Sequence, residues 1–255
     1  MKKLIVFLLM YSGSYFLLAQ DDAQEGKNSF YSYTTQGNLS IRTNGWGGGF
    51  SKGWIRRAYK TDLLNVDFYF LKHEKEVKTY FQDPSARPYF FGKLNAFYVL
   101  NIGYGRKKII TEKMRKSGVQ VYRTFGVGGT LGMTRPIYLE ILYLDPNFNG
   151  YSIETERYDP SIHYNQNIYG RASNLLGISE LKFHPGLNAK FNLGFEYSGF
   201  RDGIRAMEVG MGVEVFPKRI EIMSNSVLET LPEHAVNHWM FLSGHVHFIF
   251  GRKHS

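Results

Sequence analysis

The stretch Leu187–Phe216, LNAKFNLGFEYSGFRDGIRAMEVGMGVEVF, alternates apolar and polar residues in two long runs. In the first run Leu187, Ala189, Phe191, Leu193, Phe195 and Tyr197 share one register, and Asn188, Lys190, Asn192, Gly194, Glu196 and Ser198 the other. In the second, Met207, Val209, Met211, Val213 and Val215 alternate with Glu208, Gly210, Gly212 and Glu214. Successive side chains on a strand point to opposite faces, so a period of two predicts strands with one apolar and one polar face. The short Gly/Arg/Asp connection at Gly199–Gly203 makes the pair an antiparallel hairpin.

The rest of the chain repeats this unit and predicts an all-β, antiparallel up-and-down barrel. Strands are expected at 38–51, 58–72, 94–107, 119–133, 135–145, the two of the opening hairpin, and 238–250, eight in all. Pairing of Tyr151–Tyr158 with Tyr164–Tyr169 would raise the count to ten, and a short helix fits Ala172–Leu181. Arg123 falls among apolar residues, which places it near an interface or a bulge. The GWGGGF run at Gly45–Phe50 costs strand stability and implies tight curvature or close backbone approach. It lacks the strand–loop–helix context and the following Lys-Ser/Thr of a phosphate loop.

The first twenty residues carry Lys2 and Lys3, an apolar segment and a small residue at Ala19, the pattern of a secretory signal peptide. Residues 21–37 read as a periplasmic lead-in and 38–251 as the barrel. The chain has no cysteine, which excludes disulfides, thiolate metal sites and a lipid-modified cysteine. After the signal no apolar run reaches the ~20 residues of a transmembrane helix, so any membrane crossing is made by strands. The net charge of +9 raises nucleic acid as a partner, but export argues against it. Basic segments at Lys52–Lys60 and Arg106–Lys116 suit anionic lipopolysaccharide or phospholipid.

Alternation alone leaves open which face meets lipid. The polar face is rich in glycine (Gly126, Gly128, Gly194, Gly210, Gly212), which suits a narrow interior better than a watered surface. The runs also reach the ~9–11 residues of a tilted crossing. With the N-terminus inside, two of three inner links are short and two of four outer links long. That leaves 73–92 as a long periplasmic loop. The final strand, with Met240, Leu242, Val246, Phe248 and Phe250 in one register, resembles the carboxy-terminal signal of outer-membrane proteins. From Asn38 to Phe250 the chain resembles the small gram-negative outer-membrane β-barrel class, porin-like and OmpA-barrel-like. The resemblance implies an outer-membrane address and no particular chemistry.

The expected interior network is Arg42, Asp67, Glu140, Lys190, Glu196, Glu208, Glu214 and His245, with His247 on the same face. Charges inside a narrow barrel are costly unless paired, so mixed signs predict a salt-bridged plug. The function expected is structural or accessory, within an envelope complex. Two alternatives use the same residues. One is a narrow channel with the charges as its filter. The other is a lipid-modifying hydrolase with Ser243 as nucleophile, His245 or His247 as base, and Glu208 or Glu214 as the orienting acid. Two histidines at i, i+2 beside a carboxylate also form a possible Zn²⁺ ligand set, although no metal or cofactor is expected. The partners expected are outer-membrane lipid or lipopolysaccharide, and other envelope proteins through loops 73–92 and 146–186.

Overall fold

Strand pairing closes the alternating chain into a ring. The computed structural model describes residues 31–255 except 82, 113–117, 146–149, 199–201 and 225–236. The signal peptide, most of the lead-in and most of the Gly199–Gly203 turn lie outside the described residues. In chain order the strands are β1 (Tyr33–Arg42), β2 (Gly45–Arg57), β3 (Lys60–Leu71), the two-residue β4 (Lys78–Thr79) and β5 (Tyr89–Phe90), β6 (Asn95–Thr111) and β7 (Gln120–Pro136). They continue with β8 (Tyr138–Asp145), β9 (Gly150–Arg157), β10 (Ile168–Arg171), β11 (Lys182–Glu196), β12 (Gly203–Val215) and β13 (Met240–His254). Eight of them close as β1-β13-β12-β11-β7-β6-β3-β2, every neighbour antiparallel. The ring is sealed by β1 on β13, from Tyr33 opposite His254 to Arg42 opposite His245. Closure leaves no free sheet edge.

The expected count of eight holds, but its membership changes. The expected first strand, 38–51, is a hairpin of β1 and β2 turning at Thr43–Asn44. Its β1 starts at Tyr33, so the end of the proposed lead-in is barrel wall. The expected fifth strand, 135–145, supplies β8, which leaves the barrel and pairs with β9 and β10 in a separate three-stranded sheet. The segments proposed as a ninth and tenth strand therefore flank β8 and not each other. In place of a short helix, 172–181 holds a 3₁₀ turn at Ile178–Glu180.

Splitting one strand and removing another reverses the parity of the loops between them. The start of β1 and the end of β13 share one end with the short β2–β3, β6–β7 and β11–β12 links. The opposite end carries the short β1–β2 turn and the three long connections, β3–β6, β7–β11 and β12–β13. Loop 73–92, expected beside the termini, lies at this far end. The short-turn, long-loop asymmetry of membrane barrels is thus sharper than the sequence reading allowed.

Burial fixes the faces. Leu242 is 68% exposed and its neighbour Ser243 is 1% exposed; Met211 is 62% exposed beside the buried Gly212. The outer wall is apolar, with Leu39, Ile41, Leu64, Val66, Ile102, Val127, Phe191 and Val209 all exposed. At the long-connection end this band is rimmed by Trp46 stacked on Phe70 at 4.7 Å, with Phe70 edge-on to Tyr98 at 5.2 Å. At the terminus end the exposed Arg56, Arg106, Arg123, Arg205 and Arg252 border it. Arg123 lies directly across from Lys108 in this basic rim, at the edge of the apolar band.

The interior is filled at three levels. Tyr69, Leu71, Phe97 and Val99 pack against Phe216, Ile220, Ile222 and Met223 of the last long connection, capping the far mouth. Tyr122, Ile204, Ala206 and Ile249 close the terminus mouth. Between them lies a polar layer.

Candidate functional site

Glycines make room for the polar layer. Lys190 faces Gly126 on β7 and Gly212 on β12, so its long side chain crosses the lumen without a neighbouring side chain at its root. Its ammonium donates to Asp67 at 2.7 Å, and Asp67 also accepts from Asn38 at 3.1 Å. Asp67 itself faces Gly49 on β2. Pairing large residues with small ones across strands is how a narrow barrel fills its taper. It also explains the glycine-rich polar face noted in the sequence.

Arg42, at the end of β1, donates to Glu214 at 2.7 Å with 2% and 3% of the two side chains exposed. The same guanidinium donates to Ser243 Oγ and lies 4.2 Å from the Tyr69 ring centroid. Asn101 donates to Glu214 at 3.2 Å, and Thr130 donates to Asn101. Nearer the termini, His245 Nε2 bonds Asn192 Oδ1 at 2.8 Å, and Asn192 donates to Glu208 at 2.8 Å. His247 stacks on His245 at 4.3 Å, its Nδ1 3.9 Å from Glu208. Glu196 accepts from Lys107 at 3.4 Å and from Lys253 at 3.1 Å. Four cations (Arg42, Lys107, Lys190, Lys253) thus stand with four carboxylates (Asp67, Glu196, Glu208, Glu214).

The structure therefore gathers Arg42, Asp67, Lys190, Glu196, Glu208, Glu214, Ser243, His245 and His247 into the lumen. Glu140 is the exception. It sits on β8, where it faces Thr155 of β9 and Gly170 of β10 outside the barrel. Alternation correctly gives Glu140 a face but cannot say which sheet owns it. Sequence reasoning passed over Lys107 and Lys253, both on polar-face positions of barrel strands. Lys107 is the last residue of the expected third strand and falls in a basic segment assigned to lipid, and Lys253 lies beyond the expected barrel end.

The elements of a hydrolase do not meet in this arrangement. Ser243 Oγ accepts from Arg42 and donates to the Gly212 carbonyl at 3.5 Å, so it is held between a guanidinium and a carbonyl. A serine nucleophile needs a base to take its proton. His245 instead bonds Asn192. Among the described residues no group of three His, Cys, Asp or Glu side chains is arranged to hold a metal ion.

Above the far mouth, the long connections fold together. Tyr89 of β5 packs with Leu139 and Ile141 of β8, Tyr158, and Ile168 of β10. Asp83 accepts from the Ser85 backbone at 2.9 Å, the Ser85 hydroxyl at 2.8 Å and the Tyr169 hydroxyl at 2.9 Å, tying the first connection to the second. These hydrogen bonds, the Ser85 backbone bond foremost, hold the exposed Asp83 carboxyl below the ordinary carboxylate range.

A closed antiparallel barrel with an apolar outside and a charged, filled inside is a transmembrane-type β-barrel, the reverse of a soluble one. No family model matches the chain, and no curated protein matches it. Similar solved structures include Neisserial surface protein A, 10% identical over 88% of this chain and 96% of that one, with a TM-score of 0.38. The N-terminal β-barrel domain of Pseudomonas aeruginosa OprF is 10% identical over 86% of this chain and 98% of that one, with a TM-score of 0.31. Likenesses this remote add nothing about activity, and the barrel assignment stands on the pairing and burial described above.

Proposed function

We propose that this chain is a non-conducting barrel of a gram-negative outer membrane that carries a folded head on the outer surface, where it contacts other envelope components. The observation that carries this reading is the gathering of all three long connections at the end away from the termini, over a lumen filled at three levels. Extracellular loops are the long ones in this class of barrel and the periplasmic turns short. The nine residues from Met207 to Val215 rise about 20 Å at a ~40° tilt, near the ~25 Å apolar band of such barrels. The aromatic rim at one end and the basic rim at the other fit the two headgroup levels.

The absence of native cysteine makes the orientation simple to test. Tyr151 is 72% exposed on β9 of the head. A Tyr151→Cys variant is expected to react with a membrane-impermeant maleimide on intact cells; labelling only after permeabilisation would reverse the orientation. In planar bilayers the purified protein is expected to give no steady current steps. Stable steps altered by Glu208→Gln or Glu214→Gln would overturn the closed-lumen reading in favour of a channel. Affinity isolation of the tagged chain from native outer membranes, with and without residues 146–181, then reports whether the head recruits partners.

A further inference from the structure

A cavity of about 540 Å³ lies outside the barrel at the long-connection end, between the wall and the head. Its floor is the outer face of three strands, with Phe68 of β3, Tyr98 of β6 and Met133 of β7. Its roof comes from the second long connection and includes Leu139, Ile178 and Leu181. Three cations also line it: Lys93, Arg135 and Arg171.

The cations are not equivalent. Lys93 is already matched by Glu76 at 2.7 Å. Arg135 is 8% exposed, with its guanidinium 5.9 Å from the Tyr98 ring centroid. Nε of Arg135 and Nε of Arg171 are both buried and have no hydrogen-bond partner among the described residues. A buried guanidinium without an anion is expensive, and the planar fork of arginine fits a phosphate with two parallel bonds. The groove therefore offers an apolar slot, bordered by Phe70 and Tyr98 of the aromatic rim and lined by two guanidiniums that lack an acceptor at Nε among the described residues.

We propose that this groove binds a phosphorylated, multiply acylated glycolipid with the chemistry of lipid A. Its phosphate sits between Arg135 and Arg171, and an acyl chain runs along the Phe68–Tyr98 floor. The choice of glycolipid rests on the outward orientation proposed above, which puts the groove in the outer leaflet. Glycerophospholipids would meet the basic rim at the other end, around Arg106, Lys108 and Arg123.

The test titrates the full chain in detergent micelles with four probes: bisphosphorylated lipid A, dephosphorylated lipid A, phosphatidylglycerol and inorganic phosphate. Bisphosphorylated lipid A is expected to bind tightest. Arg135→Gln and Arg171→Gln are each expected to weaken it on the order of tenfold, the scale of one lost charge-assisted bond. Arg123→Gln, at the opposite rim, is expected to leave it unchanged. Leu181→Trp keeps both guanidiniums and fills the slot, so it tests the acyl contact even if an arginine variant fails to fold.

Equal binding of dephosphorylated lipid A would overturn the phosphate contact. Equal binding of phosphatidylglycerol would overturn the choice of lipid, and equal binding of inorganic phosphate would reduce the site to a free-anion site. Because binding in micelles does not depend on orientation, it separates from the Tyr151→Cys experiment. Outside labelling without lipid A binding overturns the groove alone. Binding with labelling only after permeabilisation overturns the orientation, and with it the outer-leaflet assignment.

Discussion

Glu214→Ala is expected to lower the stability of the detergent-solubilised barrel by about 3–5 kcal/mol, read as a fall in the unfolding midpoint on denaturant titration. The pair it breaks is almost dry, with 2% of the Arg42 side chain and 3% of the Glu214 side chain exposed. Removing the carboxylate strands the guanidinium, leaving it the Ser243 hydroxyl and the Tyr69 face. Asn101 also loses its acceptor. Most of the expected loss is thus the cost of a buried charge left alone, rather than the worth of the bridge. The double variant Arg42→Met/Glu214→Leu separates these, because it removes both charges and restores apolar volume. It is expected to lie closer to the wild type than Glu214→Ala does. If the double variant lost as much as the two single variants added together, the pair would be acting as two independent contacts, and the account of a single charge-balanced layer would fail.

This layer was largely legible in the sequence, because it follows from the period of two. Once Phe191, Leu193 and Val209 are given to one face, Lys190, Asn192 and Glu208 must share the other. The rule also gives Ser243, His245 and His247 one face. What it cannot give is membership of a sheet. Glu140 alternates with Leu139 and Ile141 as regularly as any barrel residue, yet β8 serves a small sheet whose own core of Tyr89, Tyr158 and Ile168 rewards the same pattern.

The missed hairpin has a different cause. Asn44-Gly45, which closes the Thr43–Asn44 turn, is a strong hairpin signal, but the glycine run that follows reads as bulging and hides it. Gly45 adopts φ 155°, and a Cβ there would meet the Phe70 carbonyl at 1.9 Å, so the turn accepts no other residue without moving β3. Reading 38–51 as one strand puts loop 73–92 at the wrong end and makes the loop asymmetry look imperfect. The Arg135–Arg171 groove was out of reach for another reason. Its parts come from three barrel strands and two of the long connections, and only the folded connections bring them together.

The second large effect is expected from a single methyl group. Gly128 of β7 faces Gly103 of β6, and a Cβ on Gly128 would lie 2.2 Å from the Ile102 carbonyl oxygen and 2.4 Å from the Gly103 Cα. Both obstacles are backbone, so no rotamer change relieves them and the two strands must part. Overpacking of this kind costs ~1–3 kcal/mol when side chains can give way, and Gly128→Ala is expected at or above the upper end. Neighbouring glycines supply the scale. A Cβ on Gly129, on the outer face, meets nothing within 4 Å, so Gly129→Ala is expected to leave the unfolding midpoint unchanged. A Cβ on Gly126 meets the flexible Lys190 stem at 3.4 Å and the Tyr104 carbonyl oxygen at an unstrained 3.6 Å, and Gly126→Ala is expected to fall between the two. The order 129, 126, 128 follows from what each methyl would touch. Helix and strand propensity predict no such order, because all three changes are Gly→Ala within one strand. If Gly128→Ala unfolded with Gly129→Ala, β6 and β7 would not approach so closely at Gly103 and Gly128.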